Sequence, residues 1–193
     1  MTIKKSILLC VALEILIIAF ALLTEGLSLT ALQTITRYSG RLSLFVFSII
    51  FLWGSRPATI TALLSEKFYL VFAIVHGIHL IELLTYVSLS GIKLIPYRIA
   101  GGFLAYLFIF LMPMFQTFQE RKRISRRRFF ILEITFSYYV WFIFLLTYIP
   151  RVLGKLPHAG GSFVEHVVLL GLVIVLMIIK LADSISVQWR KMA

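Results

Sequence analysis

Two histidines and a glutamate stand in a stretch of the chain that is otherwise almost entirely apolar. The segment VHGIHLIELL, residues 75–84, carries His76, His79 and Glu82. In a helix these three residues follow one another at intervals of three, so neighbours share a face and the set fans over about 120°. Imidazole and carboxylate groups ligate metals, hold haem iron and carry protons. The stretch is therefore the first candidate for chemistry in this chain.

Three interpretations of this stretch compete. In the first, one histidine ligates a haem iron through Nε2 while the other packs or forms a hydrogen bond. In the second, His79 and Glu82 bind another metal ion with a carboxylate from a facing helix, for which Glu133 is the candidate. In the third, both imidazoles are neutral and hydrogen-bonded between helices. Gly77 leaves a flat position beside them, which permits close approach of a helix or a planar ligand.

The composition identifies the environment in which these residues work. The chain is 61% hydrophobic and 15% aromatic, with a mean hydropathy of +1.00, and its apolar residues form long runs. About 20 apolar helical residues cross the hydrocarbon core of a bilayer. We therefore predict an all-α, polytopic membrane protein, a bundle of six transmembrane helices that forms a single domain over residues 1–193. The predicted spans are residues 6–23, 41–54, 67–89, 98–118, 129–148 and 163–182.

The basic residues predict the orientation of this bundle. The formal net charge is +11, and its densest block is RKRISRRR, residues 121–128, between the fourth and fifth spans. Basic loops are retained in the cytoplasm, so this loop and both termini are expected to be cytoplasmic, in a bacterial cytoplasmic membrane. We expect the loop to contact anionic lipid or, alternatively, to dock an acidic soluble partner. The distribution of charge does not favour nucleic acid as a partner.

Several kinds of chemistry have no motif in this chain. The one cysteine, Cys10, lies inside the first span, and the sequence contains no cysteine cluster for an iron–sulfur site. It also contains no phosphate-binding glycine loop and no nucleotide fingerprint, so no flavin or nicotinamide site is expected. If electrons pass through this protein, a separate redox or membrane partner protein must supply them.

Further ionisable residues lie within the predicted spans. Glu14, Glu133 and His166 are the main ones, and each costs about 2.5–3.5 kcal/mol on insertion scales for charged residues. His166 is either an interfacial residue near a helix start or a ligand. Glu133 either forms a structural hydrogen bond or joins the histidines in a cluster. His158, in the loop GKLPHAGG, is expected to be solvated.

Three segments resemble the ferric-reductase-like transmembrane family. They are TRYSGRLSLFVFSIIFLWGSRP (residues 36–57), KFYLVFAIVHGIHLIELLTY (residues 67–86) and IPYRIAGGFLAYLFIFLMPMFQTF (residues 95–118), which are similar to the second, third and fourth spans of that family. Six spans, cytoplasmic termini and a basic loop between spans four and five also agree with it. The resemblance implies a b-type haem between spans three and five, with His79 at the position of the family's ligand.

The fifth span departs from this family. Members of the family carry histidines in the fifth span that complete the ligation of haem. The fifth span of this chain, FFILEITFSYYVWFIFLLTYIPR, contains none. Glu133 and the region of Thr147 stand at the corresponding positions. His166 or His76 is then the candidate for the second ligand beside His79.

The leading hypothesis from the sequence is a divergent ferric-reductase-like protein that binds haem b and relays electrons across the membrane. The alternative is a haem-free membrane subunit, scaffold or assembly factor with the same fold, which the missing histidines of the fifth span favour. A third possibility is a small transporter or proton relay that uses Glu14, Glu82 and Glu133. The sequence contains no inverted repeat, which counts against a transporter.

Overall fold

The computed structural model describes residues 1–92, 96–156 and 160–192, and their side chains except for residues 96–98 and 185–192. The regular structure of these residues is helical. The helices are α1 (Ile3–Glu25), α2 (Leu29–Trp53), α3 (Pro57–Leu63), α4 (Phe68–Ser90), α5 (Pro96–Glu120), α6 (Arg126–Val152) and α7 (Phe163–Met192). All except α3 are long and apolar enough to cross a membrane. The predicted all-α membrane protein with six spanning helices is confirmed.

Short connections make successive spanning helices run in opposite directions. The first residues of α1, the short helix α3 and the loop between α5 and α6 therefore lie at one end of the bundle, which we call the terminal end. The connections between α1 and α2, α4 and α5, and α6 and α7 lie at the other end, which we call the distal end. Two ion pairs tie helices together near the terminal end, Arg56 with Asp183 and Lys67 with Glu120.

The second helix is longer than the sequence predicted. The expected span of residues 41–54 begins twelve residues too late, because α2 begins at Leu29 behind the cap Ser28, whose side chain accepts a hydrogen bond from the Ala31 N–H. Polar residues lower the hydropathy of this first part of the helix. They are nevertheless placed inside the bundle, where Thr34, for example, donates a hydrogen bond of 2.9 Å to Glu25.

This polar helix is the centre of the bundle. It contacts α1, α3, α4, α6 and α7. Half of the residues in its membrane-spanning segment are buried, compared with 17–28% in the other spanning helices. A helix with neighbours on most sides has less lipid-facing surface to keep apolar, so its polar residues can pair with neighbours. The least hydrophobic span is therefore the one that positions most of the site described below.

Aromatic side chains fill the half of the bundle nearest the terminal end. Phe47 of α2 packs against Phe51 and Phe72, with ring centroids 5.5 and 5.8 Å apart. Tyr69 and Phe136 meet edge to face at 5.4 Å. These five side chains are at most 1% exposed. Such packing leaves little free volume, so the space inside the bundle lies in the distal half.

Large apolar side chains cover the outside of the bundle. On α1 alone, Leu8, Ile15, Leu16 and Leu23 are 59–87% exposed. A soluble protein rarely presents contiguous apolar surface of this extent, whereas lipid chains solvate it without cost. The outer faces of the helices are therefore built to contact a bilayer.

Candidate functional site

A cavity of about 550 Å³ lies among five helices in the distal half of the bundle. Its lining comes from α2, α4, α5, α6 and α7, and it reaches Ile92 and Leu156 in the connections at the distal end. His76, His79 and His166 all line this one space. The structure therefore brings together, around one cavity, the three histidines that the sequence singled out.

His76 is held by a neighbouring helix. Its Nδ1 forms a short hydrogen bond with the hydroxyl of Ser43 on α2. The ring also packs against Tyr106 of α5, with centroids 4.7 Å apart. The side chain is 9% exposed. Because Ser43 occupies Nδ1, the nitrogen that His76 can offer to the cavity is Nε2.

His79 fits against the backbone of α2. Gly40 lies beside its ring, and a Cβ at that position would be only 3.0 Å from Cε1 of His79. The ring forms a hydrogen bond with the backbone of Thr36, while its Nδ1 is buried without a partner. An imidazole with one nitrogen held by a backbone carbonyl and the other free is the usual arrangement of a metal-ligating histidine.

The two histidines of α4 are poorly placed to hold one planar cofactor together. They stand three residues apart on one face, and their ring centroids are 5.5 Å apart with 49° between the ring planes. Two imidazoles that hold one haem would have to approach it from opposite sides. Because both side chains come from the same helix, this geometry does not favour His76 as the second ligand beside His79.

His166 lies in the first turn of α7, near the distal end. At 1.5 Å per residue it stands about 5 Å from the start of its helix, whereas His79 stands about 16 Å from the end of α4. Arg151 of α6 interacts electrostatically with both imidazoles. His79 and His166 thus line the same cavity at different depths. Since metal–imidazole bonds are about 2 Å long, this arrangement does not favour a single iron bridged by both residues.

Three arginines surround the distal part of the cavity. Arg37, Arg41 and Arg151 all line it. Glu165 accepts a hydrogen bond of 3.0 Å from Arg41 and lies 3.9 Å from Arg37, while Arg151 donates to the carbonyl of Thr147 in its own helix. The Nε of Arg37 is buried without a partner. We call these three residues the arginine rim.

The sequence analysis missed the arginine rim, because its members were counted only as scattered basic residues. One signal was present in the sequence. Arg37 and Arg41 are four residues apart and therefore share a face of one helix, and that helix lies inside the bundle.

The structure does not form the predicted metal site of His79, Glu82 and Glu133. Glu133 accepts a hydrogen bond of 2.9 Å from Tyr69, and Tyr69 stands ten residues before His79 on α4, a distance of about 15 Å along the helix. Among the described residues, no group of three histidine, cysteine, aspartate or glutamate side chains is placed to hold a metal ion. Glu133 belongs instead to the aromatic half of the bundle.

Comparison with protein-family models, with curated proteins and with solved structures gave no match to this chain. Its function must therefore be argued from the cavity itself.

The face of α6 that lines the cavity carries no histidine. It presents Val140, Ile143, Phe144, Thr147, Tyr148 and Arg151. Thr147, which stands in the region of the second histidine expected from the resemblance, turns its hydroxyl back to the carbonyl of Ile143 at 2.8 Å. The predicted solvated residue His158 lies outside the described residues. The cavity thus offers imidazole from α4 and α7, and cations from α2 and α6.

Proposed function

We propose that this cavity binds one b-type haem and that the protein relays electrons through it within the membrane. The observation that carries the proposal is the meeting of a ligand-competent histidine and the arginine rim in a single cavity of about 550 Å³. When bound, haem supplies one-electron transfer through its iron. The chain's own residues provide a ligand, apolar walls and counter-charges.

His79 is the proposed ligand. Its ring is fixed between Gly40 and the backbone of Thr36, and its Nδ1 is buried without a partner. A buried nitrogen without a hydrogen bond is costly, and a ligand would remove that cost. His76 is the second candidate on α4, since Ser43 holds its Nδ1 and leaves Nε2 for the cavity.

The walls of the cavity fit a planar apolar group. Tyr106 and Ile109 of α5 and Val140, Ile143 and Phe144 of α6 line it. Cavities of about 300–1,000 Å³ with mostly apolar walls and a few polar anchors are typical of sites for cofactors. The volume and the side chains present thus agree with a macrocycle held among the helices.

The charge of the cavity favours a ligand with two anionic groups. The rim supplies three guanidinium groups, and Glu165 is the carboxylate that pairs with it. Partly buried charge is expensive without a partner. Haem carries two propionate groups, which would compensate the two remaining positive charges, and guanidinium binds carboxylate in a bidentate manner.

The proposed relay requires partner proteins. Because the sequence contains no flavin or nicotinamide motif, a cytoplasmic reductase or a membrane quinone would donate electrons. The basic loop of residues 121–128 supports the proposal that the terminal end is cytoplasmic in a bacterial membrane. The cavity would then lie in the outer half of the bilayer, and the acceptor would approach from outside.

The test is a comparison of two variants after expression with a haem precursor. His79→Ala should insert into the membrane and lose most of its pigment. Glu133→Gln, which changes a partly buried group bonded to Tyr69 outside the cavity, should keep the pigment of the unaltered protein. Pigment that survives in His79→Ala would reject this residue as the ligand.

A second candidate is a haem-free membrane subunit with the same fold. The absence of histidine from the cavity face of α6 favours it, because the resemblance leads us to expect ligands from that helix. Under this proposal the arginine rim would bind another anionic group, and the protein would purify with a stable partner but without pigment.

A further inference from the structure

A polar seam runs through the bundle beside the cavity, where α1, α2 and α4 meet. Glu14 of α1 is 2% exposed and Ser39 of α2 is fully buried. The hydroxyl of Ser39 donates a hydrogen bond of 2.9 Å to Oε1 of Glu14. Glu82 of α4 lies near the same hydroxyl, and neither of its oxygens has a hydrogen-bond partner. Two carboxyl groups from different helices therefore lie beside one serine inside the membrane.

Ser39 is one of the hydroxyl residues of α2 that bond to another helix, as Thr34 and Ser43 also do. Thr36 and Ser48 bond back to carbonyls of their own helix, at 2.9 and 2.7 Å. Such local bonds are the usual state of serine and threonine within helices. Ser39 instead turns outward to a neighbouring helix, so its position on α2 serves contact with the two carboxyl groups.

The two carboxyl groups lack compensating charge. Oε2 of Glu14 and both oxygens of Glu82 are buried without a hydrogen bond. Among the described residues, no lysine or arginine forms an ion pair with either group. Their nearest titratable neighbours along the helices are Cys10, one turn before Glu14, and His79, one turn before Glu82. Two like charges this deep in a membrane cannot both persist.

We propose that Glu14, Ser39 and Glu82 form a proton-sharing relay that holds one proton between two carboxyl groups. Ser39 has a single hydroxyl hydrogen and can both donate and accept, so it can pass a proton between the two groups. One carboxyl group of the resting pair holds a proton while the other is ionised.

The transfer through this relay is balanced. When Glu82 is the protonated group, its acid proton passes to Oγ of Ser39 while the hydroxyl proton of Ser39 passes to Oε1 of Glu14. One O–H bond breaks and one forms at Ser39, no electrons move, and the net result is one proton carried from α4 to α1. The relay stands apart from the haem proposal, because it needs only groups of this chain.

Infrared spectroscopy of the full-length protein in detergent, free of haem, tests this relay. The unaltered protein should show the carbonyl stretch of a protonated carboxylic acid at neutral pH, with a shift in D₂O. That band should be lost or change frequency in Glu82→Gln and in Glu14→Gln, and it should change frequency in Ser39→Ala. Glu133→Gln is the matched control, since it alters a carboxyl group outside the seam, and it should leave the band in place.

Two results would overturn the relay. One is a carboxylic acid band that neither Glu82→Gln nor Glu14→Gln alters, because the proton would then belong to neither carboxyl group. The other is a band that neither Glu14→Gln nor Ser39→Ala moves, because the proton would then not be shared. If Glu82→Gln does not fold, Ser39→Ala decides alone, since it removes only the bridging hydroxyl and an unmoved band rejects the sharing.

Discussion

Gly40 of α2 lies directly against the imidazole of His79 in α4, so that a methyl group at Gly40 would come within 3.0 Å of Cε1 and 3.4 Å of Nε2. The missing side chain at residue 40 is what lets the ring lie between the helices with one nitrogen near the backbone of Thr36. The position of the proposed ligand therefore depends on a residue that makes no chemical contribution of its own.

Replacement of this glycine should disturb the site. In Gly40→Ala the new methyl must displace the His79 ring or separate α2 from α4, because a well-packed interior does not absorb extra volume freely. We expect a loss of about 1–3 kcal/mol in the free energy of unfolding and a reduced content of pigment. Unfolding in mixed detergent micelles and absorption spectra measure the two effects.

Gly171→Ala is the matched control for this substitution. No atom lies within 4 Å of a Cβ at residue 171 in α7, and alanine favours a helix more than glycine does. This variant should be as stable as the unaltered protein or slightly more stable. If Gly40→Ala and Gly171→Ala had the same free energy of unfolding and the same pigment content, the close fit between Gly40 and His79 would be contradicted.

The hydrogen bond between Ser43 and His76 allows the roles of the two histidines of α4 to be tested separately. Ser43→Ala leaves the buried Nδ1 of His76 without its partner, which should cost about 1–3 kcal/mol of stability while the pigment is retained. Ser48→Ala, whose hydroxyl bonds to Leu44 of its own helix, should cost less. Pigment that is lost in Ser43→Ala but kept in His79→Ala would transfer the role of ligand to His76.

The arginine rim should recognise the carboxylate groups of haem. We expect the unaltered protein to bind haem at least about tenfold more tightly than haem dimethyl ester, because charge-assisted hydrogen bonds are worth about 1.5–3 kcal/mol. Arg41→Gln should weaken the binding of haem and leave that of the ester unchanged. Arg128→Gln, in the first turn of α6 and away from the cavity, should change neither. If the unaltered protein bound haem and its dimethyl ester with equal affinity, the arginine rim would not bind the propionate groups.

The cavity face of α6 predicts how a bound haem responds to an added ligand. Since that face carries no histidine and His166 stands at a different depth from His79, we expect the chain to supply one imidazole to a bound haem. Carbon monoxide should therefore shift the spectrum of the reduced protein at once. A spectrum of two imidazole ligands that does not change under carbon monoxide would show that another histidine completes the site.

Much of the fold follows from the sequence, because long apolar runs have few alternatives to spanning helices. The start of α2 was misplaced for a physical reason. Polar residues such as Thr34 and Arg41 lower the hydropathy of this segment, yet they are satisfied by Glu25 and Glu165 inside the bundle. A hydropathy criterion assumes that every spanning helix faces lipid on all sides. It underestimates the length of α2 because this helix has other helices on most of its sides.

The site was predicted less completely than the fold. His76, His79 and His166 stand out in the sequence because imidazole is rare in apolar runs, and the structure places all three on one cavity. Glu133 stands out because a carboxylate is also rare in apolar runs. It bonds to Tyr69 in the aromatic half of the bundle, however. The depth at which a residue lies within the bundle depends on the packing of helices that are distant in sequence, so spacing along the chain could not separate these cases.

The most direct test of the account is a reduced-minus-oxidised absorption spectrum of the purified full-length protein, with haem quantified as its pyridine complex. The protein should be expressed with a haem precursor and purified in a mild detergent. The account predicts a b-type haem at a ratio approaching one per chain. A folded, monodisperse sample that is colourless and free of iron would contradict it, and the haem-free membrane subunit would then be the better description of this protein.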